Sequence, residues 1–279
     1  MSADAPPPAG DAPPPPPPGI GGAFAFSVVA WFVTVTFAAP LLGWASLPTA
    51  LAVGAVVGFG GVGTLVARRL PAPAEQTLGM RGFPLRFLGV LALLVPAAIL
   101  TSEIDNWVAL ALPRPAPEAG AGGEAGAAEP LSGWLVAEGV IAMVLLRPVV
   151  EEFFFRGVLF HGLVANHGAA VAVAVAALLS AASEAAFAAP LGSSRLVAAG
   201  LEALLVGALL GGVRVASGSL LAPILLQSAL RAFGALAVLL HEHLPIPGFN
   251  VPGDHTPLGV LLPALACVAT GTLLLRRHP

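Results

Sequence analysis

The chain has 279 residues, 57% of them hydrophobic and only 10% charged, with a net charge of −3 and a mean hydropathy of +0.91. A soluble domain needs roughly a quarter of its residues charged to cover its surface, so the composition excludes one and requires an integral membrane protein. All twelve basic residues are Arg and no basic stripe interleaves with aromatics, which excludes nucleic acid as a partner.

Residues 1–22 are a Pro-rich tail, a run that cannot form a helix and prefers extended polyproline II. It reads as a solvated spacer. No cleavable signal peptide is expected, so the first apolar helix carries the targeting information. The membrane domain then covers 23–279 and is expected to be an all-α, polytopic transmembrane helix bundle. Spans of about 20 apolar residues are predicted at Phe24–Trp44, Pro48–Ala67 and Arg86–Ser102. The segment Thr101–Trp107 reads as the end of the third span with an interfacial Trp. Pro113–Ser132, rich in Gly, Ala, Glu and Pro, reads as a loop. A long stretch follows, Trp134–Val164, in which Pro148 is the one candidate interruption. Further spans are predicted at Ala169–Ala189, Leu196–Val215, Leu220–Leu240 and Leu258–Leu275. The count is seven or eight, depending on Pro148. With eight, the Arg clusters Arg68, Arg69, Arg81, Arg86 and Arg276, Arg277 fall on the side of the N-terminus, so both termini are expected in the cytoplasm, across a bacterial inner membrane.

An ionisable group inside a membrane helix costs about 2.5–3.5 kcal/mol on insertion scales and is a functional hypothesis by default. The candidates are Glu138, Arg147, Glu151, Glu152, Arg156, Glu184, Glu202 and Arg231. The densest cluster is Glu151-Glu152-Phe153-Phe154-Phe155-Arg156. Glu152 and Arg156 are four apart on a helix and can pair, while Glu151 lies 100° away and is expected to be free to point into the bundle. One paired and one free carboxylate, walled by Phe, is a way to build a general base. Glu184 could join Glu151 as a two-carboxylate site. Glu138 and Glu202 read as interhelical hydrogen-bond acceptors or as positions near the membrane interface. His241, His243 and His255 lie in the polar stretch 241–257 and read as exposed loop residues. His161 is ten residues beyond Glu151, about 15 Å along a helix, too far to share its site. The lone Cys267 excludes an intrachain disulfide, and no cofactor or metal site is expected.

The run EEFFFRG, a small-residue span, and then GSLLAPILLQSALR together resemble the CAAX protease and bacteriocin-processing family, the intramembrane endopeptidases that include the type II CAAX prenyl endopeptidases. The resemblance covers Trp134 to Phe233. Its first motif, E-E-x-x-x-R, is met by Glu151, Glu152 and Arg156. It implies that Glu151 activates the attacking water, that Glu152 and Arg156 hold the helix, and that the substrate is a membrane-associated or prenylated protein surrounded by lipid.

The other two motifs depart from the family. The second, F-x-x-x-H, aligns on Glu184 and Ala188, or on Phe187 and Leu191, and neither register supplies a histidine. The third, H-x-x-x-N, falls on Gln227 and Arg231. Gln227 can donate to an oxyanion but cannot take up a proton. Arg231, if it faces the same cavity, makes an ion pair with Glu151 in place of a base.

Three functions follow. An endopeptidase predicts a water-filled cavity with Glu151 facing Gln227. A catalytically inactive scaffold or chaperone of the same fold predicts Glu151 paired with Arg231 and a closed or lipid-filled cavity. A transporter would use the buried carboxylates as ion sites, but no internal repeat supports it.

Overall fold

The computed structural model describes residues 17–70, 73–114 and 133–277. Among the described residues the fold is an all-α bundle with eight helices long and apolar enough to cross a membrane. They are α1 (Ile20–Leu41), α2 (Leu47–Ala67), α3 (Phe87–Ala111), α4 (Gly133–His167), α5 (Ala169–Leu191), α6 (Ser193–Ser217), α7 (Leu221–Leu239) and α8 (Leu258–Arg276). A lipid environment forces this outcome, because every backbone donor and acceptor must be satisfied within its own segment. Most of the expected Pro-rich tail and the loop 113–132 lie outside the described residues. The first helix begins at Ile20.

Small residues set the closest packing. The buried stripe of α1 is Ala23, Ser27, Ala30, Thr34 and Ala38, a helical face with no bulky member. It receives Gly54 and Gly58 of α2, where an added Cβ would lie 2.5 Å from the Thr34 carbonyl and 2.0 Å from Thr34 Oγ1 respectively. Backbones meet here because nothing larger is present. Ser46 caps α2 by accepting from Thr49 N at 3.3 Å, with Pro48 in the first turn.

Two features correct the sequence reading. Helix α3 bends at Val95–Pro96 but runs on to Ala111, well past Ser102, because its polar stretch has protein partners. Glu103 accepts from Thr256 N at 3.0 Å and Asn106 Nδ2 donates to Gly248 O at 2.8 Å. Helix α4 is not interrupted at Pro148. It is one 35-residue helix with π-helical segments at Val140–Leu146 and Phe153–Leu159. Pro148 sits in the first turn of the α segment between them, where the change of hydrogen-bond register makes its missing N–H least costly. Among the described residues the span count is therefore eight.

Tight turns at Gly168 (φ 82°) and Gly192 (φ 102°) fold α4, α5 and α6 into consecutive antiparallel neighbours. The loop 241–257 between α7 and α8 is knitted by Asn250, which donates to Ala237 O and Leu244 O at 2.9 Å and accepts from Ile246 N at 2.7 Å. His255 pairs with Glu103 and its ring lies 4.7 Å from that of Trp107, so Trp107 stacks on the loop. Two apolar cores flank the polar centre. One gathers around Phe59, Phe154 and Phe155, the other around Leu94, Leu210 and Leu226.

Candidate functional site

The adjacent carboxylates of α4 face different helices, as the 100° step requires. Glu152 is fully buried and accepts from Arg156 Nη1 at 2.7 Å. Arg156, 2% exposed, also donates to Gly207 O on α6 at 3.0 Å and approaches Ser180 Oγ on α5 at 3.5 Å. This pair ties three helices together. Its surroundings are apolar, with Phe154 and Phe155 buried beside it. An added Cβ on Gly207 would lie 3.0 Å from the guanidinium, so only a residue without a side chain lets α6 approach.

Glu151 is not free, contrary to the expectation from sequence. It is 5% exposed and accepts from three donors: Arg147 Nε at 2.5 Å, Arg231 Nη2 at 2.8 Å and Gln227 Nε2 at 3.1 Å. A carboxylate has about four acceptor positions, so most of its capacity is occupied. Glu184 of α5 joins the same arrangement, accepting from Arg147 Nη2 at 2.8 Å and Arg231 Nη2 at 3.3 Å. Glu151, Arg147, Glu184 and Arg231 thus form a closed ring of alternating charge across α4, α5 and α7. Glu184 and Glu151 do meet, but through two guanidiniums and not as a shared-proton pair. Arg147 also lies over the Phe187 ring, 5.4 Å from its centroid.

Three members of the ring, Glu151, Glu184 and Arg231, line a cavity of about 940 Å³, together with Asp105 and Asn106 of α3, Glu202 of α6 and the loop segment Gly248–Gly253. Asp105 accepts from Arg114 and from Arg195 at 3.2 Å. Glu202 has no hydrogen-bond or salt-bridge partner among the described residues, so the interhelical bond expected of it is not found. Glu138 does make such bonds, accepting from Ser46 Oγ at 2.5 Å and from Thr49 Oγ1. His241 sits on its own helix end at Val238 O, away from the ring.

The family resemblance raises the possibility of a metal at the third motif, and the residues present do not fit one. Glu151 is surrounded by two guanidiniums and an amide nitrogen, which repel a cation or fail to ligate it. Among the described residues, no three His, Cys, Asp or Glu side chains gather as a cage.

Sequence reasoning offered Gln227 facing Glu151 and Arg231 pairing with Glu151 as alternatives, and in the structure both side chains donate to Glu151. It gave Arg147 no role, although Arg147 precedes Glu151 by four residues exactly as Glu152 precedes Arg156. Residues 133–233 match the family described as type II CAAX prenyl endopeptidase Rce1-like. No curated protein and no solved structure matches the chain. The matched stretch contains all four members of the ring and the Glu152–Arg156 pair, so the similarity to that family covers the part of the membrane bundle that holds the site.

Proposed function

We propose that this CAAX-protease-like membrane protein uses its cavity to hold a segment of a membrane-associated protein without cutting it. The single observation that carries the proposal is the charge ring. Glu151, the carboxylate that would activate water in an endopeptidase, is bound to Arg147, Arg231 and Gln227. A base must present a lone pair to the water it activates, within about 2.6–3.2 Å, and here three of about four such positions are taken by side-chain donors. The cavity is open and its lining mixes polar and apolar side chains, which suits a bound segment and differs from the closed or lipid-filled cavity expected of an inactive relative. The membrane is proposed to be a bacterial inner membrane with both termini cytoplasmic, supported by the even span count and the Arg clusters at 68–86 and 276–277.

A second reading, slow hydrolysis with Glu151 as base and Gln227 as oxyanion donor, draws on the 3.1 Å contact between them and on the open cavity. Apparent melting midpoints of wild type, Glu151→Gln, Arg231→Gln and the double variant, in one detergent at one scan rate, separate the two. The double variant leaves Arg147 and Glu184 as a neutral pair, so each single change should lower the midpoint and the double should recover most of the loss. A neutral or stabilising Glu151→Gln would overturn the binding proposal, because it would mean the carboxylate is kept at a cost to folding, as functional groups are.

A further inference from the structure

A second concavity lies on the lipid-facing side of α6, remote from the charge ring. Leu205, Ala208, Gly212 and Ala216 line its floor, spaced at three and four residues along one face of α6, with Ala169 of α5 on one wall and Arg276 of α8 at one end. Its volume is about 620 Å³. No acidic residue lines it. The floor runs eleven residues along α6, about 16 Å at 1.5 Å per residue, and half the hydrocarbon thickness of a bilayer is about 15 Å. The groove therefore has the length of one leaflet. Its far end is apolar, and its near end opens where α8 finishes in Arg276 and Arg277, both exposed and neither with a carboxylate partner among the described residues.

We propose that this groove is a binding site for one acyl chain of an anionic phospholipid, with the headgroup phosphate on Arg276 and Arg277. The depth comes from small residues. An added Cβ on Gly212 would meet nothing within 4 Å, so the floor at that point is open space. The charge is confined to the end where a headgroup belongs. A docked protein helix would have no reason to place its anion there and an apolar face along the rest, whereas a phospholipid has that distribution by its chemistry.

The open space at Gly212 supplies the test, because Gly212→Leu fills the groove without a clash. Full-length protein in detergent is given an equal mixture of phosphatidylglycerol and phosphatidylcholine with the same acyl chains, and retained lipid is read by native mass spectrometry. Wild type should retain phosphatidylglycerol with about thirtyfold preference, the equivalent of two arginines at about 1 kcal/mol each. Arg276→Gln with Arg277→Gln should bring the preference to parity, and Gly212→Leu should lose the bound lipid of both kinds at an unchanged melting midpoint. Ala208→Leu, one turn along the same face, reads the groove instead if Gly212→Leu does not fold. Retention of phosphatidylglycerol in the filled-groove variant would overturn the proposal, as would equal retention of the two lipids by wild type. So would a wild-type dimer that the filled-groove variant dissociates, since the occupant would then be a second copy of the chain.

Discussion

Arg147 and Arg231 hold the same two carboxylates, yet replacing them should not cost the same. The Arg147 side chain is 8% exposed and donates at 2.5 Å to Glu151 and 2.8 Å to Glu184. The Arg231 side chain is 22% exposed and donates at 2.8 Å and 3.3 Å. Removing one partner of a buried ion pair costs about 3–5 kcal/mol, because a charge is left uncompensated where water cannot reach it. Exposed pairs are worth about 0–1 kcal/mol, and Arg231, which the cavity partly solvates, falls between at about 2 kcal/mol. At roughly 2–4 °C per kcal/mol for a domain of 150–250 residues, Arg147→Gln should lower the apparent midpoint by roughly 10 °C and Arg231→Gln by roughly half that. The compensating change is Glu184→Gln. Together with Arg147→Gln it leaves Glu151 and Arg231 as one neutral pair, so the double variant should regain about 2 kcal/mol over the sum of the singles, within the range seen for residues in one network. Tryptophan fluorescence in a single detergent reads all five proteins, wild type included, on one scale. If Arg147→Gln proves no more costly than Arg231→Gln, or if the two changes simply add, the four groups are not acting as a closed ring and the argument from neutrality fails.

Two further outcomes test the scaffold around the site. Gly58→Ala would place a Cβ 2.0 Å from Thr34 Oγ1 and 2.4 Å from the Ala30 carbonyl, whereas Gly61→Ala meets nothing within 4 Å. Thermal midpoints should show the first losing about 1–3 kcal/mol through overpacking and the second changing by less than about 1 kcal/mol; equal effects would mean that α1 and α2 are not in close contact. Glu103→Gln weakens the anchor that holds Thr256 N and His255. Hydrogen exchange of the loop 241–257 should therefore accelerate while α4 and α6 keep their protection, and unchanged loop exchange would show that Asn250 and Asn106 hold it without Glu103.

Much of this was legible in the sequence, and the division has a physical cause. Span positions depend only on apolar length, and all eight predicted spans correspond to helices whose ends mostly lie within a few residues of expectation. The Glu152–Arg156 pair was legible too, since four residues on a helix define a shared face. The same spacing makes Arg147–Glu151 legible, although Arg147 lies outside the family motif, which begins at Glu151. Contacts between helices are different. Whether Glu184 reaches Glu151 depends on how α5 is rotated against α4, and no residue spacing encodes that rotation. The π segments at Val140–Leu146 and Phe153–Leu159 were equally hidden, since they change hydrogen-bond register without changing composition. The long reach of α3 was misjudged for another reason. A polar stretch such as Ser102–Asn106 looks like a span end when it in fact faces a protein cavity.

Charge counting links the two departures from the family that look unrelated in the sequence. Aligned on the small-residue span, Glu184 stands where the second motif has Phe, and Arg231 stands where the third has Asn. Both expected residues are neutral. Taken alone, Glu184 would give Arg147 two carboxylates to balance, and taken alone, Arg231 would give Glu151 two guanidiniums. Either surplus is a charge among apolar helices, at about 2.5–3.5 kcal/mol. Together they cancel, and they touch, with Arg231 Nη2 3.3 Å from Glu184 Oε1. A pair that is neutral only as a pair fits the charge-lined cavity proposed above, in which Glu151 and Glu152 are each partnered by arginine.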